Sequence, residues 1–301
     1  MMLNPIFESS ARRRMRTIKT PLLISAYILL LILLAASQLQ VFMGQGVQVT
    51  AMRLGMECYI WMTALELLLI ILVAPALSAG SIAGERERRT FDLLLVTGVG
   101  AGRIVMGKLL ESFVFLSVLI LCGMPVMSLV LVTGGVSIWD VLMTHVYLLV
   151  IAFGALCAGM VVSVMMKRSL TAIIASYLLI FAIGAGTWWL AKHGPLAAAY
   201  THRTLAALGD MNSMEIMKGM PVTIFFNPAV GLVMMLASQT GILHRTMQDT
   251  MRLQDIYTAA KAAGFGSVSL VSLVFIFAAS IILLMAAALL LSFQSERRRK
   301  R

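Results

Sequence analysis

Glu66 is the first side chain in this sequence whose type and setting point to chemistry. It sits in an apolar stretch with no cation nearby in sequence. Holding a charge at such a depth is costly. The carboxyl must therefore be protonated, bonded to another helix or turned toward a wet cavity, and the last makes it a candidate for an ion pathway. Glu57 lies nine residues earlier, about half a turn away on a helix, so the two cannot line one cavity from the same face. Glu57 reads as a group reaching for the membrane interface, and Glu111, three residues after Lys108, as a local ion pair. The histidines, His145, His193, His202 and His244, are scattered, with neither an H-E-x-x-H nor a G-x-S-x-G motif. Cys58, Cys122 and Cys157 have no metal-ligand spacing and read as small buried hydrophobes. Neither a catalytic set nor a metal site is expected.

One stretch imitates a nucleotide site. Gly102-Arg-Ile-Val-Met-Gly-Lys108 fits the first seven positions of a phosphate-binding loop. Leu109 follows, where Mg²⁺ coordination needs a Ser or Thr hydroxyl, and no buried strand precedes it. It reads as the start of a membrane helix, so the chain itself holds no cofactor.

These residues need elements to position them. Of 301 residues, 60% are hydrophobic and 12% charged, and the mean hydropathy is +0.95. A soluble domain carries about 25% charged residues, so lipid must cover part of this surface. Spans of about 20 apolar residues fall at 22–43, 56–79, 104–133, 138–166, 169–191 and 266–293. The first is too long for a cleaved signal, whose apolar region is roughly 7–15 residues. The expected fold is one all-α transmembrane domain over 1–301 with six helices.

Charge orients them. With the N-terminus inside, 17 of the 24 basic residues lie on the cytoplasmic side, including the run Arg297 to Arg301. A seventh apolar run, 222–243, contains Asn227-Pro228 and Gln239, and making it a span would put the basic tail outside, against the positive-inside rule. It is therefore expected to be either re-entrant or flat on the outer leaflet, within an external region 192–265. The re-entrant form adds Asn227 and Pro228 to the pathway candidates. Asn4-Pro5 and the apolar face Phe7, Ala11, Met15, Ile18 and Leu22 predict an amphipathic basic helix over 4–20, lying in the inner interface. The net charge of +11 sits beside apolar segments, where anionic lipid accounts for it better than nucleic acid does. The expected location is the cytoplasmic membrane, multi-pass, with both termini inside.

The most unusual segment is cytoplasmic, at 80–100. After turns predicted at Gly80 and Gly84 comes a dense run, Glu85-Arg86-Glu87-Arg88-Arg89-Thr90, then an apolar patch, Phe91 and Leu93-Leu94-Leu95. A short helix of this make-up suits docking into a groove on a cytoplasmic partner. At Ala155, Gly159 and Ser163, small residues at four-residue spacing predict close helix packing.

Gly84-Glu-Arg-Glu-Arg-Arg-Thr-Phe-Asp-Leu-Leu-Leu95, followed by Gly107-Lys-Leu-Leu110 and preceded by Asn4-Pro-Ile-Phe7, resembles the membrane permease subunits of type-2 ABC exporters. Their hallmark is G-E-R-E-x-G-T-x-x-x-L-L leading to G-K-L-L. The resemblance covers residues 4–110; beyond them the six-span layout and the external region before the last helix match. Arg89 departs from the family's glycine, which predicts a differently shaped turn there. The resemblance implies that Glu85 to Leu95 is a coupling helix, with Glu85, Arg86, Glu87, Arg88, Arg89, Thr90, Phe91 and Leu94 facing a separate ATPase subunit. It also implies pairing with a second permease, identical or similar, and that ATP and Mg²⁺ enter only through the partner ATPase. The alternative is a secondary transporter or channel using Glu66; it would require paired midplane carboxylates and an inverted repeat, and the sequence offers neither.

Overall fold

The computed structural model describes residues 19–44, 51–91, 100–193, 225–241 and 264–299. All regular structure among them is helical. In chain order the helices are α1 (Lys19–Gly44), α2 (Ala51–Glu87), α3 (Ala101–Thr133), α4 (Ile138–Met165), α5 (Ser169–His193), α6 (Pro228–Thr240) and α7 (Phe265–Arg299). Six are long and apolar enough to cross a membrane; α6, at 13 residues, is not. At a rise of 1.5 Å per residue α6 measures about 20 Å, short of the roughly 30 Å hydrocarbon core. The predicted interfacial helix at 4–20 lies outside the described residues apart from its last two positions, which begin α1.

α4 is the centre of the bundle and the most buried of the long helices. α2, α3, α5, α6 and α7 all pack against it, while α1 packs on α2 and α3. Its start is well specified. Gly134 and Gly135 take left-handed φ values of 79° and 93° to turn the chain out of α3. Ser137 then caps α4 in a reciprocal box: Asp140 N–H donates to Ser137 Oγ at 3.2 Å, and Ser137 N–H donates to Asp140 Oδ2 at 2.9 Å. Two of the backbone donors a helix start leaves open are thereby met.

A span ending at 79, with turns at Gly80 and Gly84, is what the glycines predict; α2 instead runs unbroken to Glu87. The small residues serve close approach. A Cβ on Gly80 would lie 3.9 Å from Ile173 Cδ1 and one on Gly84 3.9 Å from Ser169 Cβ, so α5 runs alongside this stretch of α2. On the other side, Ser163 Oγ of α4 accepts the N–H groups of Ile82 and Ala83 at 3.0 and 3.1 Å. Four residues before Ser163, a Cβ on Gly159 would overlap Ser78 Oγ. The small-residue spacing expected in α4 thus packs against α2. With lipid tails as apolar as leucine, contact of this kind holds membrane helices together. At about 55 Å, α2 is longer than a bilayer core requires. Pro75 sits inside it, and Tyr177 of α5 donates its hydroxyl to Leu72 O at 2.5 Å, three residues before the proline.

α6 is fastened at both ends. Asn227 accepts the N–H groups of Ala229 and Val230 as N-cap and donates to Gly184 O and Thr187 Oγ1 of α5, each at 3.0 Å. Pro228 occupies the first helical position, where its missing N–H costs nothing. At the other end Gln239 Nε2 donates to Asp140 O at 3.2 Å, and the Tyr59 hydroxyl lies 3.0 Å from Gln239 Oε1 and 2.6 Å from Thr144 Oγ1. Gly231 leaves room for Tyr147 and Ser272, whose hydroxyls bond at 3.0 Å. Asn227→Ala removes the cap and both ties to α5. It is expected to cost about 1–2 kcal/mol, seen as a lowered unfolding midpoint in detergent; an unchanged midpoint would count against this role for Asn227.

Candidate functional site

The charged run after Gly84 is the densest polar constellation among the described residues, and it is built as a clasp. Glu85 Oε1 pairs with Lys108 Nζ of α3 at 2.6 Å, with both side chains largely buried. Arg86 turns inward. Its Nη1 donates to Val164 O at 2.6 Å and Met166 O at 3.3 Å, its Nη2 donates to Gln294 Oε1 of α7, and its Cζ lies 5.0 Å from the Phe91 ring centroid. The last carbonyls of α4 lack intrahelical donors and carry the negative end of the helix dipole, so a guanidinium suits them twice over. Glu87 accepts the Ser169 N–H at 2.9 Å and the Ser169 hydroxyl at 2.5 Å, at the start of α5. A carboxylate is the favoured charge at a helix start.

Three consecutive side chains, pointing about 100° apart on a helix, therefore bind three directions: α3, then α4 with α7, then α5. The alternation of sign follows from what each meets, namely a lysine, a helix C-terminus and a helix N-terminus.

The clasp ends in a tight turn. Thr90 N–H donates to Glu85 O at 3.0 Å and Arg89 N–H to Arg86 O at 3.1 Å, the paired bonds of a Schellman cap with Arg89 at its left-handed position. Arg89 has φ of 58°. Arg89 takes the glycine conformation, at a steric cost of about 1 kcal/mol.

Several residues expected at the docking face have partners within the chain. Arg86 is engaged within the bundle and Phe91 is only 4% exposed. Glu85 is paired, and Glu87, though exposed, caps α5. Arg88, Arg89 and Thr90 are exposed, with the Thr90 hydroxyl donating to Glu85 O at 3.2 Å; Leu94 lies outside the described residues. The reason is geometric: with α2 continuous, Glu85 to Glu87 keep a helical fan of directions in place of one outward face. Beside the clasp, between α2, α3 and the start of α5, is an open cleft of about 620 Å³, floored by Gly80, Ser81 and Gly84.

Glu66 lies elsewhere. It is 1% exposed, accepts the Tyr27 hydroxyl of α1 at 2.6 Å through Oε1, and has His145 Nε2 of α4 at 3.9 Å. Of the settings expected for it, bonding to another helix is the one observed. Asn227 and Pro228 do not join it; the side-chain partners of Asn227 are on α5. Glu57 pairs with exposed Arg53 at 3.2 Å on its own helix. Sequence reasoning missed Tyr27, His145, Ser169 and Gln294, which come from four other helices and carry no local motif. Lys108 was marked by the G-K-L-L signal and as a local partner for Glu111, and neither reading revealed Glu85 as the group it pairs with.

No protein-family model matches the chain, and no curated protein matches it. What it does rests on the residues themselves.

Proposed function

We propose that the chain is the membrane-spanning permease subunit of an ATP-driven exporter of the type-2 ABC class, coupling ATP hydrolysis on a separate subunit to export. The observation that carries this reading is the clasp at Glu85–Glu87. A power stroke must reach every helix lining a pathway, and here one short segment grips α3, α4, α5 and α7 together. A push on the exposed turn Arg88-Arg89-Thr90 would be passed to the bundle through fixed hydrogen bonds and not absorbed by a loose loop. The left-handed Arg89 supports the resemblance, since it occupies the position where the family pattern has glycine and adopts the conformation that favours glycine.

In this reading the clasp and both termini face the cytoplasm of a cytoplasmic membrane. A second permease, identical or similar, completes the pathway, and ATP and Mg²⁺ are held by the partner ATPases. α6, standing on its capped N-terminus against α4, α5 and α7, is a re-entrant helix on the outer side. Its burial favours this over a helix lying flat on the leaflet. Non-spanning backbone at membrane depth is stable only when protein covers it, and α6 is so covered.

The test is association with a separate ATPase. Reversing Arg88 and Arg89 to Glu, which leaves the clasp intact, is expected to reduce co-purification of the ATPase at least tenfold while the unfolding midpoint of the permease stays the same. Undiminished association would remove the coupling role from this turn.

A further inference from the structure

Glu66 and His145 sit where the permease reading gives them no task, and their geometry makes a demand of its own. His145 Nδ1 lies 2.8 Å from Val141 O. A carbonyl oxygen only accepts, so Nδ1 carries the hydrogen, and in the neutral ring Nε2 presents a lone pair. That lone pair faces Glu66 Oε1 at 3.9 Å. Two acceptors facing each other in a dry site repel unless a proton lies on one of them. Neither His145 Nε2 nor Glu66 Oε2 has a hydrogen-bond partner, though both are buried.

We propose that Glu66 of α2 and His145 of α4 hold one proton between them, forming a proton-binding site inside the bundle that Tyr27 of α1 closes. With the proton on Glu66 the pair is a carboxylic acid beside a neutral imidazole; with it on His145 it is an ion pair. Both states are neutral overall, and both avoid a lone charge in a low-dielectric interior. Four helices build the site. Tyr27 bonds Glu66 from α1, and Gly123 of α3 leaves the space, since a Cβ there would overlap both Glu66 Oε1 and the Tyr27 hydroxyl. The other titratable groups nearest it are Tyr59 of α2 and Cys122 of α3. α6 and the stretch 266–294 of α7 carry no titratable side chain. Because Glu66 is 1% and Leu31 of α1 0% exposed, exchange of this proton with solvent requires α1 to part from α2 and α3. Proton occupancy is thereby linked to the position of α1.

The full chain, purified in lipid nanodiscs, is titrated with protons as the only ligand. At roughly pH 8, exposed histidines are neutral and exposed carboxyls ionised, so a surviving proton reports a protected site. Infrared spectroscopy reads the protonated carboxyl and ¹⁵N NMR of labelled histidine reads the imidazolium. Together they are expected to find one proton equivalent per chain in the wild type and to lose it in Glu66→Gln. Glutamine keeps an oxygen for Tyr27 and cannot ionise, so that variant should hold its unfolding midpoint as pH rises from the ordinary carboxyl range through release of the protected proton, while the wild type loses stability over that range. Wild-type protein with four neutral histidines and no protonated carboxyl at this pH overturns the proposal, and needs no variant to fold. The same pH dependence of stability in wild type and Glu66→Gln, from the ordinary carboxyl range to alkaline pH, overturns it as well.

Discussion

Arg86→Ala is expected to lower the stability of the bundle by about 2–4 kcal/mol, the range for losing hydrogen bonds to a charged donor and stranding their acceptors. The guanidinium joins α2 to the end of α4 and to α7 through Val164 O, Met166 O and Gln294 Oε1, and packs on the Phe91 ring. Alanine leaves the α4 carbonyls without this donor and frees the ends of α2 and α7 from one another. Gln294 Nε2 also reaches Val164 O, at 3.4 Å, a long bond that compensates little. Arg86→Lys separates charge from shape: an ammonium keeps the favourable interaction with the helix end but cannot fork between two helices, so it should recover less than half of the loss. Thermal unfolding in micelles measures both variants. If Arg86→Ala unfolds at the wild-type midpoint, the guanidinium is not the fastening described here. The variant also tests the proposed function, under which a chain folded but unclasped should bind a partner ATPase and fail to respond to it.

Gly159→Leu is expected to cost about 3 kcal/mol or more, at the upper end of what overpacking does. The contact is between helices and leaves no room to yield: a Cβ at 159 would overlap Ser78 Oγ and approach Ser78 Cβ to 3.2 Å. Ser78 is itself held, its hydroxyl donating to Ala74 O at 2.9 Å. Separating α2 from α4 would also draw Ser163 away from the Ile82 and Ala83 amides and Arg86 away from Val164. Gly159→Ala should cost about 1–3 kcal/mol, and adding Ser78→Gly should return most of it, since the obstructing side chain is then gone. Double-mutant analysis of the four proteins reads the coupling directly. Strict additivity of the two substitutions would show that they do not meet.

Much of the architecture was legible because it depends on properties local in sequence. Apolar length set six long helices; most ends fell within three residues of expectation, while α2 starts five residues earlier and runs eight further, past Gly80 and Gly84, which signalled turns, and α7 runs six further. A glycine marks either a turn or a close approach, and only the neighbouring helix distinguishes them; here α5 lies alongside. Asn227-Pro228 marked the seventh apolar run as something other than a span, but that it is the N-cap and first residue of α6 came from the structure. The direction of the charged run was not readable. Glu85, Arg86 and Glu87 looked like one docking face because sequence does not say what stands around a helix end.

The sequence by itself determined that this chain is a bundle of six long apolar helices with a shorter seventh segment, and that its charge gathers in a run after Gly84. Hydrophobic length and charge spacing suffice for that, since both are summed along the chain. The tertiary structure alone decided that the run is a clasp, that Arg89 turns through a left-handed conformation, and that Glu66 faces Tyr27 and His145. The clasp and the Glu66 site depend on groups 20 to more than 200 residues apart meeting within hydrogen-bond or ion-pair distance, and the packing of small residues such as Gly123 and Gly159 brings them there.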